Sequence, residues 1–188
     1  MPISAQDHII FTVNGVIGAC NTALVLMKHP EARIQITSDS HIDSAFEDIV
    51  DTFPEGTVHV CGIGCTAPMT KIAARLKALP KAVRVRWYAG QEHPELLSAE
   101  NKLTKVCRTV FHPKTTTSKI IRDTLRPKRS DALLLIIEIL EDTYASRHPR
   151  SELHDTWVNR IEASNHRFFY FGDDNANEHT MRALSGNI

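Results

Sequence analysis

Through the first 125 residues, short apolar runs alternate with stretches of helical spacing. HIIFTV (8–13), ARIQIT (32–37), GTVHVCGI (56–63), KAVRVRWY (81–88) and CRTVFH (107–112) are the strand candidates. In KAVRVRWY the alternation of Val83, Val85 and Trp87 against Arg84, Arg86 and Tyr88 predicts a strand with one partly wet face. A helix is predicted from Gly15 to Lys28. A second, with Ile42, Ala45, Phe46, Ile49 and Val50 on one face, has Asp39 or Ser40 as its cap. Ile72, Leu76 and Leu79 share a face of the third, a fourth runs from Pro94 to about Lys105, and Thr116 or Thr117 opens the fifth. Strand alternating with helix at this period predicts an α/β fold: a mainly parallel sheet of about five strands with helices on both faces.

After Pro127 the pattern is helical only. DALLLIIEILEDTY, beginning at Asp131, is apolar on nearly every side and is expected to lie buried between other elements. Another helix is predicted from about Ser151 to Asn165. The aromatic run RFFYF (167–171) either covers the domain's own core or forms a subunit contact, with core the favoured reading. Three parts follow: an α/β unit over 1–126, a helical extension packing on it over 127–170, and a polar tail over 171–188 expected to be poorly ordered.

Composition narrows the picture modestly. A chain of 188 residues fits one domain and can bury about 70% of its unfolded surface. Lys plus Arg and Asp plus Glu are both 22, so no global field favours nucleic acid or an anionic membrane. The basic stretch Lys114, Lys119, Arg122, Arg126, Lys128 and Arg129 reads as a solvated face and linker rather than a phosphate-backbone contact. MPISAQDHII has neither the basic nor the apolar region of a signal peptide, and ALLLIIEIL (132–140) falls short of the roughly 18 apolar residues of a membrane helix. The expectation is a cytoplasmic protein with no membrane contact, in which Cys20, Cys61, Cys65 and Cys107 are free thiols.

In a parallel α/β sheet, ligands bind outside the carboxyl ends of the strands, which directs attention to loops 12–16, 37–41, 62–66, 88–94 and 112–117. No nucleophile elbow, P-loop or dinucleotide fingerprint occurs there. His59, Cys61 and Cys65 lie close in sequence, and Glu92 is followed by His93. Neither group has the paired spacing of a zinc site. Asn14-Gly15 is either a plain tight turn or the mouth of an anion site at the following helix start, with Thr12, Asn14, Gln91 and His93 as neutral contacts.

Three segments, FTVNGVIGACNTAL (11–24), VHVCGIGC (58–65) and VRVRWYAGQEHP (83–94), together with TTTSKII (115–121), carry a resemblance. Over roughly residues 7–145 the chain resembles the N-terminal domain of the DHH phosphoesterase superfamily. The Gly15 turn with its small-residue helix start, the Gly64 turn, the Trp-Tyr lead-in and the Thr/Ser-started helix are the matching parts. In that family a His-x-Asp-x-Asp run, a second-motif Asp and an Asp-His-His triplet hold two divalent metals that activate water. Here Ile10, Thr12 and Asn14 stand at the first run, Gly62 at the second, and Ala89, Gly90 and Gln91 at the triplet; Glu141/Asp142 lie near a fourth-motif Asp. Hard divalent cations need carboxylate oxygens and imidazoles, which these positions do not supply. Set against the resemblance, the Gly-rich substrate domain that many family enzymes carry is expected to be absent.

The resemblance thus implies a catalytically silent DHH-like protein acting through ligand binding or assembly, with no catalytic residue, metal or cofactor. Its vestigial cleft would comprise Thr12, Asn14, Gly15, Gly62, Gly64, Ala89, Gly90, Gln91 and His93. A nucleotide or other phosphate-bearing ligand and a homodimer are the partners left open. The alternative is a metal-dependent phosphoesterase with a rearranged site, acting on a small phosphodiester, oligonucleotide or polyphosphate.

Overall fold

The computed structural model describes residues 8–146 and 151–186. The five apolar runs form β1 (His8–Thr12), β2 (Arg33–Ile36), β3 (Glu55–Cys61), β4 (Ala82–Ala89) and β5 (Arg108–Phe111). All pair in parallel, in the order β2-β1-β3-β4-β5, with Ile10 opposite Ile34 on one side and His59 on the other. Between the strands run α1 (Val16–Leu26), α2 (Ile42–Asp48), α3 (Met69–Ala78) and α4 (Pro94–Leu103), and then come α5 (Thr117–Leu125), α6 (Asp131–Tyr144), α7 (Glu152–Phe171) and α8 (Asp174–Leu184).

Alternation along the strands divides the core in two. Ile9, Phe11, Val58, Val60, Val85 and Trp87 face α2, α3 and α4, meeting Phe46, Ile72 and Leu96. Ile10, Cys61 and Tyr88 face the other way, onto α1, α5 and α6, with Ile161 of α7 and Met181 of α8 completing that layer. Burial on both faces explains why β1 and β3 read as nearly continuous apolar runs. It also corrects the expected wet face of β4 in part: Tyr88 is fully buried beneath the second layer, while Arg84 stays exposed. Among the described residues no helix is long and apolar enough to cross a membrane.

Local chemistry accounts for the helix ends. Thr116, Ser130 and Ser151 cap α5, α6 and α7, each accepting from the backbone N–H three residues on. The predicted cap of α2 is corrected: its N-cap residue is His41 and no side chain caps it. Asp39 Oδ1 instead accepts from the Gly64 N–H at 2.8 Å, and Ser40 Oγ bonds Ser38 and His41.

Four expectations for the C-terminal region change. The apolar α6 is buried through Leu133, Ile136, Ile139 and Leu140, but Leu134 is 46% exposed, so one side meets solvent. Helix α7 runs past Asn165 to Phe171, where Gly172 ends it in the left-handed conformation. Its buried line passes through Ile161 and Ser164, which leaves Phe169, Tyr170 and Phe171 on the outer faces at 67–75% exposure. The aromatic run is therefore surface, not core.

The polar segment after 171 is likewise not poorly ordered where it is described. It contains α8, whose Asn177, Met181 and Leu184 are buried against the α1 layer. The Arg182 guanidinium donates to the carbonyls of Pro30 and Ala32 at 2.6 and 3.0 Å and locks α8 over the α1–β2 connection. Sparse apolar residues hid this helix, because only one narrow face has to be buried. Met181→Ala is expected to lower stability by about 2–5 kcal/mol in urea unfolding, the usual effect of emptying a core site; a loose tail would show no change.

Candidate functional site

The chain steps from β1 outward to β2, then returns past β1 to β3 and continues in the opposite direction. The loops leaving β1 and β3 therefore diverge, and a crevice opens between them at the carboxyl edge of the sheet. It is a cleft of about 450 Å³. Val13, Asn14 and Gly15 line it from the β1–α1 loop, with Val16, Ile17 and Asn21 from α1 and Gly62 from the β3 loop. Glu92 and His93 contribute from beyond β4, Thr117 from α5, and Thr143 and Tyr144 from the end of α6.

Two helices begin at this cleft, and their N-termini differ. Helix α5 is plugged by the protein's own carboxylate. Glu92 Oε1 accepts from the Thr117 N–H at 3.0 Å and from the Tyr144 hydroxyl at 2.5 Å, while the Thr117 hydroxyl reaches Oε2 at 3.5 Å. A negative group there meets the positive end of the helix dipole. Burial, and then the Glu92 carboxylate, push the Tyr144 hydroxyl above its ordinary range, so Tyr144 stays a donor.

Helix α1 has no such plug. Its N-cap is Gly15, held at φ 101°, a conformation that other residues rarely adopt. No side chain caps the helix and no acidic residue lies in its first turn. One turn further along, Asn21 is fully buried. Its Oδ1 accepts from the Ser118 hydroxyl at 2.6 Å, but its Nδ2 has no hydrogen-bond partner. An unpaired buried donor costs about 1–3 kcal/mol unless something answers it. The cleft thus offers an open helix N-terminus and an unanswered amide on the same wall.

Of the residues read from sequence as the vestigial cleft, Asn14, Gly15, Gly62 and His93 line it, as does Glu92, noted beside His93. The others do not. The Thr12 hydroxyl turns away to the Gly18 carbonyl at 3.1 Å, and Ala89 is packed in the core among Trp87 and Phe111. Gly64 sits against Asp39 and Glu95, and the Gln91 side chain is exposed while its N–H bonds the Thr115 carbonyl at 2.9 Å. Gly90 lies beneath the start of α5 with its N–H on Thr117 Oγ1 at 2.9 Å. His93 Nδ1 stands 3.4 Å from Glu95 Oε1. Reading by motif position missed Asn21, Thr117, Thr143 and Tyr144. Asn21 carried a signal, as a lone amide within the otherwise small and apolar VIGACNTALVL.

Two groups of potential metal ligands occur among the described residues: His8 with His29 and His59, and Glu138 with Asp142 and His154. Both lie outside the cleft lining. Asp142, placed by resemblance near a catalytic aspartate, is buried and faces His154 of α7, Oδ2 to Nδ1 at 3.4 Å. Cys65 does not join His59 and Cys61; its thiol donates to the Ala67 carbonyl at 3.2 Å.

No family model and no curated protein matches the chain in sequence. Among solved structures, the fold is similar to that of an uncharacterized protein from Helicobacter pylori G27, with a TM-score of 0.68 and 11% sequence identity. The match covers 96% of this chain and 56% of that one, so this chain spans little more than half the length of its structural relative. At that identity the likeness shows the fold alone.

The close seat of Gly90 leads to a prediction. A Cβ there would stand 2.3 Å from the Thr115 carbonyl oxygen and 2.4 Å from the Thr117 nitrogen, both backbone atoms. Gly90→Ala is expected to destabilise by about 1–3 kcal/mol, as overpacking does, with a lower melting temperature by calorimetry. A variant melting with the wild type would mean that the 90–92 loop is not clamped to α5.

Proposed function

We propose that this protein is a catalytically silent, DHH-like binding protein whose cleft between β1 and β3 takes a small phosphate-bearing ligand such as a nucleotide. The observation that carries the reading is the uncapped N-terminus of α1 beside the unpartnered Asn21 amide. Backbone N–H groups at a helix start, reinforced by the helix dipole, form a ready seat for an anion. Glu92 does not spoil that seat, because its charge is engaged by Thr117 and Tyr144 at the neighbouring helix.

Silence is supported by what has become of the positions where the DHH resemblance places metal ligands. Thr12 is turned into the turn that it closes, Asn14 Oδ1 accepts from Asn177 Nδ2 at 2.9 Å, and Gly90 has no room for a side chain. Two-metal hydrolysis requires several anionic oxygens around one point. The rearranged phosphoesterase has one observation in its favour: a carboxylate, Glu92, and an imidazole, His93, share the cleft. Assembly as a homodimer is supported by the contiguous exposed aromatics Phe169, Tyr170 and Phe171, since clustered apolar surface of this kind marks interaction sites.

Three experiments test these readings. Calorimetric titration with adenosine monophosphate is expected to show binding that Asn21→Asp weakens at least about tenfold, or about 1.4 kcal/mol. That variant keeps the acceptor for Ser118 and replaces the free donor with a negative oxygen. Hydrolysis of bis(p-nitrophenyl) phosphate with manganese, abolished by His93→Ala, would favour the phosphoesterase instead. In sedimentation, Phe169→Ser with Tyr170→Ser is expected to convert dimer to monomer; a monomeric wild type would remove assembly from the proposal.

A further inference from the structure

At the opposite end of the sheet from the cleft, three imidazoles converge. His8 opens β1, His59 lies within β3, and His29 follows the end of α1. His8 Nδ1 and His59 Nε2 are 3.1 Å apart, the rings of His8 and His29 stack at 3.7 Å, and those of His29 and His59 are 5.2 Å apart. One ring nitrogen from each lies within 4.8 Å of the others. We propose that His8, His29 and His59 form a binding site for a divalent transition-metal ion of the zinc class.

Geometry is the first support. With Zn–N bonds of about 2.0–2.1 Å, tetrahedral ligands stand about 3.3–3.4 Å from one another. The His8–His59 pair is already close to that edge, and His29 lies in a turn beside it. The outer partner of His59 is the second support. His59 Nδ1 is 3.2 Å from the Tyr88 hydroxyl, and both residues are fully buried. That contact fixes the ring and directs Nε2 toward His8, the arrangement in which a ligating histidine is oriented through its other nitrogen.

The donor set selects the metal. Three imidazoles with no carboxylate suit zinc, copper, nickel or cobalt, whereas magnesium and calcium demand oxygen. Positive groups also stand near the three rings. Lys28 and Arg86 are among those positive groups, and coordination has to exceed their repulsion of a cation. The sequence did not show this site because its members are 21 to 51 residues apart, with His59 read beside Cys61 and Cys65 instead.

The inference does not rest on the cleft reading, and zinc alone is the probe. Full-length protein stripped with a chelator, then titrated with zinc chloride, is expected to bind equimolar metal. Cobalt in its place should give the intense visible bands of a tetrahedral site. His8→Gln and His29→Gln, both at partly exposed positions, are each expected to weaken zinc about 100-fold, and Tyr88→Phe about 10- to 100-fold through loss of the outer partner. Circular dichroism of each variant establishes that it is folded. Zinc affinity unchanged in folded His8→Gln and His29→Gln would overturn the proposal. So would a loss of affinity only in His154→Gln, which would place the metal with Glu138 and Asp142.

Discussion

Handedness of the strand crossovers is the constraint on which the rest of this molecule depends. Connections between parallel strands are right-handed almost without exception. Moving from β1 to β2 in one direction places α1 on one face; moving from β2 to β3, β4 and β5 in the other places α2, α3 and α4 on the opposite face. The two apolar faces of the sheet are thereby both covered. The same reversal leaves β1 and β3 as neighbours whose following loops separate, which is why a cleft opens at that edge. Core and cleft thus have one topological cause.

Within the cleft, the chemistry is set by which helix start carries a charge. The hydrogen bonds around Glu92 join the β4 loop, the first turn of α5 and the end of α6 into one polar unit. Because the charge is confined there, α1 is left with an uncapped N-terminus and a buried amide. Proteins rarely keep a buried donor without a partner. In the small-residue start of α1, read from sequence as helix opening alone, Gly18 lies too close to the Val13 carbonyl for a Cβ, while Asn21 further along meets Ser118 and borders Gly62.

The fold was legible because burial on both faces writes itself into sequence as short apolar runs, and because 3.6-residue spacing marks the helices between them. Three strands fall within the predicted segments, and β3 and β4 each pass theirs by one residue, at Glu55 and Ala89. Helix α8 was not legible, since its stability comes from one narrow face and from Arg182 reaching backbone carbonyls across the fold. Nor was the fate of RFFYF: apolar residues in consecutive positions go all round a helix, and only neighbouring structure decides which side is covered. The candidate site was half legible. Asn14, Gly15, Gly62 and His93 could be located as strand-end residues, whereas Tyr144 and Thr117 reach Glu92 over 52 and 25 residues that no local pattern connects.

The central claim is that the start of α1 and the Asn21 amide form one anion seat. Amide-resolved NMR during titration with adenosine monophosphate tests it most directly. The account predicts saturable shifts concentrated at the backbone amides of Val16, Ile17 and Gly18 and at the Asn21 side-chain amide, with Asn21→Asp suppressing them. Shifts that instead gather around Lys119 and Arg122, or none at all along α1, would contradict it.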